Sequence, residues 1–388
     1  MTTTTFLLLY FVIAASVSFL INYLLLKFSF NLGSRNNLAF KQVRWSAHVK
    51  PSVGGISFFI VFLISIAIIG LIPKEQSFVM DKQMIGIMAA STLGFLMGLA
   101  DDAYNTNPLI KFLMQVLCAV ILLACGIQTH ISNIGIINIL FTIIWVVGLM
   151  NSINMLDNMD AITGSISAMI ILGLITVILF SGNVSGNLYL FMLIGVLGSI
   201  IGFLYFNWSP SKIYMGDTGS QFLGVFLAST SILYFWQFND GNQGVFQIKP
   251  FIIPALFFIV PLIDTTTVTI RRLMKKQSPF VGGKDHITHH LAYLGLKDRQ
   301  VVYTLIGTTV LSFPIAVLLI LNIIPWNYVV SFSILGYVVA LFLVFQLLYL
   351  KGARKHKLRQ KEERAIPKIT KETAASYNYK VEKIPVNS

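Results

Sequence analysis

Apolar residues run along this chain in eleven blocks, separated by short polar segments: 6–27, 54–72, 84–100, 109–125, 132–150, 165–180, 188–206, 221–236, 251–270, 301–321 and 328–350. Within a block the apolar positions do not alternate with polar ones. A lipid-embedded segment must satisfy its own backbone, which leaves helices or a closed barrel. Continuous apolar runs of about 20 residues select helices, because barrel strands would alternate. The pattern predicts an all-α polytopic membrane protein with about eleven transmembrane helices. Residues 1–350 form one integral membrane domain, and 351–388 form a basic cytoplasmic tail that extends the last helix and then becomes disordered. The first block lacks a basic leader and a small-residue cleavage site, so it reads as a retained first helix.

Composition agrees: 56% of residues are hydrophobic, 11% are charged, and mean hydropathy is +0.78. The net charge of +13 is a topology signal first. With eleven spans, the connections after odd-numbered spans share one side, which holds 25 of the 28 Lys and Arg residues. The positive-inside rule makes that side cytoplasmic, with the N-terminus outside and the C-terminus inside. Nucleic acid is therefore excluded as the partner, and anionic lipid head groups or substrates take its place. Cys118 and Cys125 are seven apart in one apolar block and form no disulfide or zinc framework.

The acidic residues collect on the same side. "GLADDAYNTNPLIK" ends the third block with Asp101 and Asp102. Helical neighbours diverge by about 100°, so only one of them faces any single target. A catalytic role competes here with simple capping of a helix end. Lys111 and Gln115 share a face of the next helix and can reach the same pocket. "NSINMLDNMDAITG" sets Asn151, Asn154, Asp157 and Asp160 at threefold spacing, which is one stripe if helical. Its amides suit a base or sugar, and its carboxylates accept from hydroxyls. "NWSPSKIYMGDTGS" places Asp217 among glycines, where a hard oxygen ligand suits Mg²⁺ and Thr218 or Ser220 can cap the following helix. "RRLMKKQSPFVGGKDHITHH" ends a helix on Arg271 and Arg272, then brings His286, His289 and His290 together beside Asp285. Cationic or hydrogen-bonding histidines holding a phosphate fit better than zinc, whose further ligands are not evident. These groups describe a cytoplasm-facing site for phosphoryl transfer between a soluble nucleotide and a membrane-bound acceptor.

Five ordered motifs, "KPSVGG", "DDAYNTNPLIK", "NSINMLDNMDAITG", "NWSPSKIYMGDTGS" and "SPFVGGKDHITHH", carry a resemblance from about His48 to Gly295. The chain resembles the polyprenyl-phosphate N-acetylhexosamine-1-phosphate transferases, which include the phospho-N-acetylmuramoyl-pentapeptide transferase of peptidoglycan synthesis. The resemblance implies transfer of a sugar-1-phosphate, GlcNAc-1-phosphate in the favoured branch, from a UDP-sugar to undecaprenyl phosphate. UMP leaves, and Mg²⁺ is the cofactor, with Mn²⁺ as a substitute. By motif, Asp217 ligates Mg²⁺, with Asp101 as a second candidate ligand. Asp101, Asp102 and Asp217 are the catalytic set. Lys111, Asn151, Asn154, Asp157, Asp160, Arg271, Arg272, His286, His289 and His290 bind substrate. The resemblance also implies an inner (cytoplasmic) membrane location, with a homodimer as the expected assembly. The chain departs from the family at Asn158 and Ala161, where DG-x-DG is common, and in a histidine motif one residue longer than H-x-H-H. Pentapeptide transfer and a membrane transporter are the alternatives; transporters place their charges near the bilayer midplane.

Overall fold

The computed structural model describes residues 3–29, 50–71, 81–180, 188–237, 249–278 and 283–365. Within them the chain is all helical, in thirteen helices. They are α1 (Thr3–Ser29), α2 (Gly55–Leu71), α3 (Lys82–Tyr104), α4 (Pro108–Ala124), α5 (Gly135–Leu156), α6 (Ile162–Phe180) and α7 (Leu188–Asn207). After them come α8 (Gly216–Tyr234), α9 (Lys249–Phe257), α10 (Ile259–Met274), α11 (Ile287–Tyr293), α12 (Asp298–Ile320) and α13 (Tyr328–Ala365). Each predicted block coincides with one helix, except the ninth, which falls across α9 and α10. Seven helices are long and apolar enough to cross a membrane, or eight if one bent pair counts as a span. Arg35, Lys41, Arg44, His48, Lys74, Glu75 and Asp240, the Pro279–Gly282 stretch of the histidine loop and the tail beyond Ala365 lie outside the described residues.

The count differs from eleven for physical reasons. Helices α2 and α4 have 17 residues each, marginal for a bilayer core of about 30 Å. Helix α8 is polar for a span because lipid is not its solvent. Every residue from Thr218 to Ile232 is buried. It runs through the centre of the bundle, wrapped by α2, α3, α5 and α6. Small residues let those neighbours approach, as membrane helix packing requires. A Cβ on Gly98 of α3 would sit 2.2 Å from the Asp217 carbonyl oxygen. A Cβ on Gly55 would sit 2.2 Å from the Gly219 nitrogen.

The ninth predicted span is not straight. Helices α9 and α10 meet at Phe258 with a bend of 87°. Pro261 has no N–H to offer the Phe257 carbonyl, and Pro254 weakens the preceding turn, so the ladder breaks there. The break redirects α10 and places Asp264, Arg271 and Arg272 beside α11.

Candidate active site

Two pieces of the chain meet in front of α8. Pro51–Gly55 lies along Tyr214–Met215: Ser52 bridges Tyr214, Gly54 N donates to Tyr214 O at 3.0 Å, and Gly55 N donates to Met215 O at 3.0 Å. Gly216 then turns into α8 with φ +72°, in the left-handed region that a side chain would strain. The "KPSVGG" and "KIYMGDTGS" motifs are thus one structural unit.

The turn into α8 exposes backbone N–H groups that need acceptors. Neither Thr218 nor Ser220 caps the helix, contrary to expectation, and Met215 at the cap position has no acceptor to give. The acceptor comes from another helix. Asp102 Oδ1 accepts from Asp217 N at 3.0 Å, and Asp102 Oδ2 accepts from Thr218 N at 2.8 Å and Thr218 Oγ1 at 2.7 Å. A carboxylate at a helix N-terminus also answers the positive end of the helix dipole. Asp102 thus ties α3 to the start of α8.

Its neighbour Asp101 points elsewhere. Asp101 Oδ2 accepts from Lys111 Nζ at 2.7 Å, while Oδ1 accepts from Thr106 N at 3.0 Å and from Thr106 Oγ1. The same ammonium donates to Asp217 Oδ2 at 2.6 Å. Asp217 Oδ1 accepts from Asn154 Nδ2 at 2.9 Å, and Asn154 also reaches Ser220 Oγ at 2.9 Å. Four helices, α3, α4, α5 and α8, thus deliver two carboxylates, one ammonium and one amide to a single point. One turn deeper, Gln115, Asn151 and Gln221 form an amide layer beneath it. Asn151 Nδ2 donates to Gln115 Oε1 at 2.7 Å, and Gln115 Nε2 to Gln221 Oε1 at 3.2 Å. Asn151 is thus placed under the centre, and Asn154 at it.

Asp157 caps the end of α5. Asp160 serves the loop before α8: its carboxylate accepts from Ser211 N at 2.9 Å and Ser211 Oγ at 2.8 Å, with Lys50 Nζ at 3.8 Å. The turn survives loss of the family's second glycine, because Ala161 itself takes φ +64° and donates its N–H to Asn207 Oδ1.

A second centre lies on α10 and α11. Asp264, 2% exposed, accepts from His286 Nδ1 at 2.8 Å and from Ile287 N at 2.8 Å, so it orients the imidazole and caps α11 together. Arg272 holds Asp285 through two bonds, Nε to Oδ2 at 2.8 Å and Nη2 to Oδ1 at 2.7 Å. Burial pushes the Asp285 carboxyl up, but this fork outweighs it and leaves it below the usual range. Arg271 donates to Gln346 Oε1 at 2.9 Å and lies 4.0 Å over the Tyr349 ring. Both arginines therefore engage internal partners. Thr288 Oγ1 donates to Asn158 Oδ1 at 2.6 Å, tying α11 to the end of α5, one turn past Asn154. Asp264, Asn158, Thr288, Thr106 and Gln221 were not singled out as site residues by sequence reasoning. Asp264 was visible only as an acid inside an apolar block.

Of the two states open to the histidines, cationic or hydrogen-bonding, the buried rings favour the second. Burial, followed by neighbouring positive groups, lowers His289 to about 3 and His290 to about 4. Both rings are neutral at pH 7. The free energy behind this has a sign. Between pH 6.5 and about 4 the unfolded chain binds protons that the folded chain refuses, so stability falls as pH falls, by about 1.4 kcal/mol per unit for each histidine. Thermal unfolding in detergent is expected to shift downward from pH 6.5 to 5, above the range of most carboxylates, and His290→Phe to halve that slope. A flat profile would show that these rings titrate normally.

Residues 84–235 match glycosyl transferase family 4. The match covers less than half of the chain. It spans α3 to α8 and so contains the entire Asp101–Lys111–Asn154–Asp217 centre. Over 263 residues the chain is 29% identical to the "Probable undecaprenyl-phosphate N-acetylglucosaminyl 1-phosphate transferase" of Bacillus subtilis, covering 66% of this chain and 69% of that protein. It is 28% identical over 284 residues to the decaprenyl-phosphate N-acetylglucosaminephosphotransferase of Mycobacterium leprae, covering 66% and 70%. The phospho-N-acetylmuramoyl-pentapeptide-transferase of Prochlorococcus marinus is 28% identical over 339 residues, covering 79% and 89%.

Proposed function

We propose that this protein transfers GlcNAc-1-phosphate from UDP-GlcNAc to a polyprenyl phosphate and releases UMP, at the cytoplasmic face of the cytoplasmic membrane. The observation that carries the reading is the ammonium of Lys111 held between Asp101 and Asp217 at the end of three helices. Such a cluster is built to meet phosphates, and phosphoryl transfer is largely positioning and charge stabilisation.

The donor set fits Mg²⁺. Two carboxylates share one ammonium, which leaves negative charge on hard oxygens. Among the described residues no group of three or more His, Cys, Asp or Glu converges on a metal position. Mg²⁺ tolerates this, because it keeps waters and takes one or two carboxylates plus substrate phosphates. Asp217 and Asp101 would hold it, and Mn²⁺ would substitute. When bound it neutralises charge on the pyrophosphate.

In this reading Lys111 draws the donor phosphates toward the carboxylates, Asn154 fixes Asp217, and Asp102 fixes the start of α8. The acceptor phosphate has a second pKa near about 6, so at pH 7 it is already mostly a dianion and needs little help from a base. Asp101 accepts bonds from Lys111 and Thr106, which favours direct attack by the lipid phosphate oxygen over a covalent aspartyl intermediate. The breadth of the match to the pentapeptide transferase supports a second donor, UDP-MurNAc-pentapeptide. Purified protein with undecaprenyl phosphate and Mg²⁺ is expected to release UMP from UDP-GlcNAc, and only with the lipid present. UMP from the pentapeptide donor alone would move the protein to the other branch. No UMP from UDP-GlcNAc, UDP-GalNAc or the pentapeptide donor would overturn the reading.

A further inference from the structure

Helix α13 continues well beyond the length a bilayer needs. Its 38 residues span about 57 Å at 1.5 Å per residue, against a hydrocarbon core of about 30 Å. The lipid-facing part is exposed, but one stripe near its charged end is engaged. Gln346, Tyr349, Gly352 and His356 recur at three- and four-residue spacing, on one face. Tyr349 lies 3.7 Å from the His290 ring, centroid to centroid, and His356 stacks on Tyr293 at 3.9 Å with the planes 10° apart. Lys355 Nζ donates to Leu294 O at 2.8 Å, capping the C-terminal carbonyls of α11 with a positive charge. Between the two ring contacts, Gly352 is buried, and a Cβ there would lie 2.3 Å from the His290 carbonyl oxygen. The two backbones touch only because this residue has no side chain. Gln346 bridges Arg271 and Thr267 of α10 on the same stripe.

We infer that the extension of α13 is a brace that sets the position of the histidine helix α11 for the nucleotide sugar, with Gly352, Tyr349 and His356 as positioning residues. The inference rests on the proposed function, because α11 acts in it as a substrate-facing element. Asp264 pins the N-terminal end of α11 and Asn158 pins Thr288. The brace fixes the opposite end and face. The Asp101–Lys111–Asp217 centre is built from other helices, so loosening the brace should separate two substrates kinetically.

The test is Gly352→Leu against Gly336→Leu, a matched control on the same helix with nothing within 4 Å of its Cβ position. Displacement of α11 by about 1 Å can cost up to about 100-fold. Gly352→Leu should raise the KM for UDP-GlcNAc at least tenfold, within that ceiling, and leave the KM for undecaprenyl phosphate unchanged. Gly336→Leu should change neither. An unchanged KM for the nucleotide sugar, or an equal rise in both, overturns the brace. A second arm does not depend on the Gly352 variant folding. Tyr293→Cys with His356→Cys, in a background with Cys118→Ala and Cys125→Ala, should form an intramolecular disulfide readable by mass spectrometry. The reduced form lacks the Tyr293–His356 stack, so the oxidised protein should have a KM for UDP-GlcNAc at or below that of its reduced form. A higher KM on oxidation would mean that α11 must leave α13 to work, and the brace falls. If the unaltered protein releases no UMP, the functional reading fails by itself. The brace is then judged on the disulfide, whose yield should drop with Gly352→Leu and not with Gly336→Leu.

Discussion

Lys111→Met is expected to abolish transfer and to make the stability of the protein depend on divalent cations. The ammonium stands 2.7 Å from Asp101 and 2.6 Å from Asp217; Lys111 and Asp101 are mostly withdrawn from water, while the Asp217 side chain is 31% exposed. Removing one partner of such a buried arrangement typically costs about 3–5 kcal/mol, because the remaining charges are left uncompensated. Here two carboxylates would face each other with Asn154 as the remaining donor to Asp217. A hard dication is the natural replacement. In detergent the unfolding temperature of Lys111→Met should fall well below that of the unaltered protein and rise again with millimolar Mg²⁺. Asp217→Asn should lose at least about 10³-fold in UMP release, the upper range for deleting one charge-stabilising group at a reacting centre. It should lose less stability, since one carboxylate and the ammonium still pair. The double variant Lys111→Met with Asp217→Asn should recover stability without recovering activity, the signature of coupled sites. Transfer within tenfold of normal in Lys111→Met would remove this centre from the mechanism. A midpoint indifferent to Mg²⁺ would remove Asp101 and Asp217 as its ligands.

Much of this centre could be read from the chain because charge inside an apolar block is rare and expensive. Asp101 and Lys111 stood out as charges at the ends of apolar blocks, Asn154 by its spacing in a polar stripe and Asp217 by its glycine neighbours, and the structure brings them to one point. Roles were harder to read than positions. Asp101 and Asp102 are adjacent, and which one faces the ammonium depends on how α3 is rotated against α4 and α8, a tertiary fact. Asp160, Arg271 and Arg272 are charged and near the motifs, but their internal partners, Ser211, Gln346 and Asp285, are 51, 75 and 13 residues away and gave no local sign. Asp264 was hidden because two prolines bend its helix pair, and no hydropathy pattern reveals where a bent span points. Helix α8 shows the opposite limit. Its Gln, Ser and Thr residues weaken it as a span on paper, yet they sit there because protein surrounds it on all sides. Ala161 shows that a missing glycine does not mean a missing turn: the backbone keeps the left-handed conformation and accepts the strain.

Asp102 carries the other large effect, and here two substitutions separate a cap from a catalyst. Asp102→Ala removes the acceptor of three hydrogen bonds, two of them from the first N–H groups of a helix buried from Thr218 to Ile232. Loss of a helix cap costs about 0.5–2 kcal/mol, and each buried donor left unsatisfied adds about 1–3 kcal/mol. Asp217 N loses its acceptor as well, so the residue that carries the reacting-centre carboxylate loses its anchor. UMP release from Asp102→Ala should fall by about 100-fold, the scale expected for a misplacement of about 1 Å. Asp102→Asn keeps one carbonyl oxygen in place, so Thr218 N retains an acceptor while the negative charge is lost. A positioning residue should then be partly rescued: Asp102→Asn should be at least tenfold more active than Asp102→Ala and unfold at a higher temperature. A group that works by its charge or by accepting a proton gives the opposite pattern, with Asn no better than Ala in rate although better in stability. Equal rates for the two variants, with the Asn form stable, would return Asp102 to the chemistry.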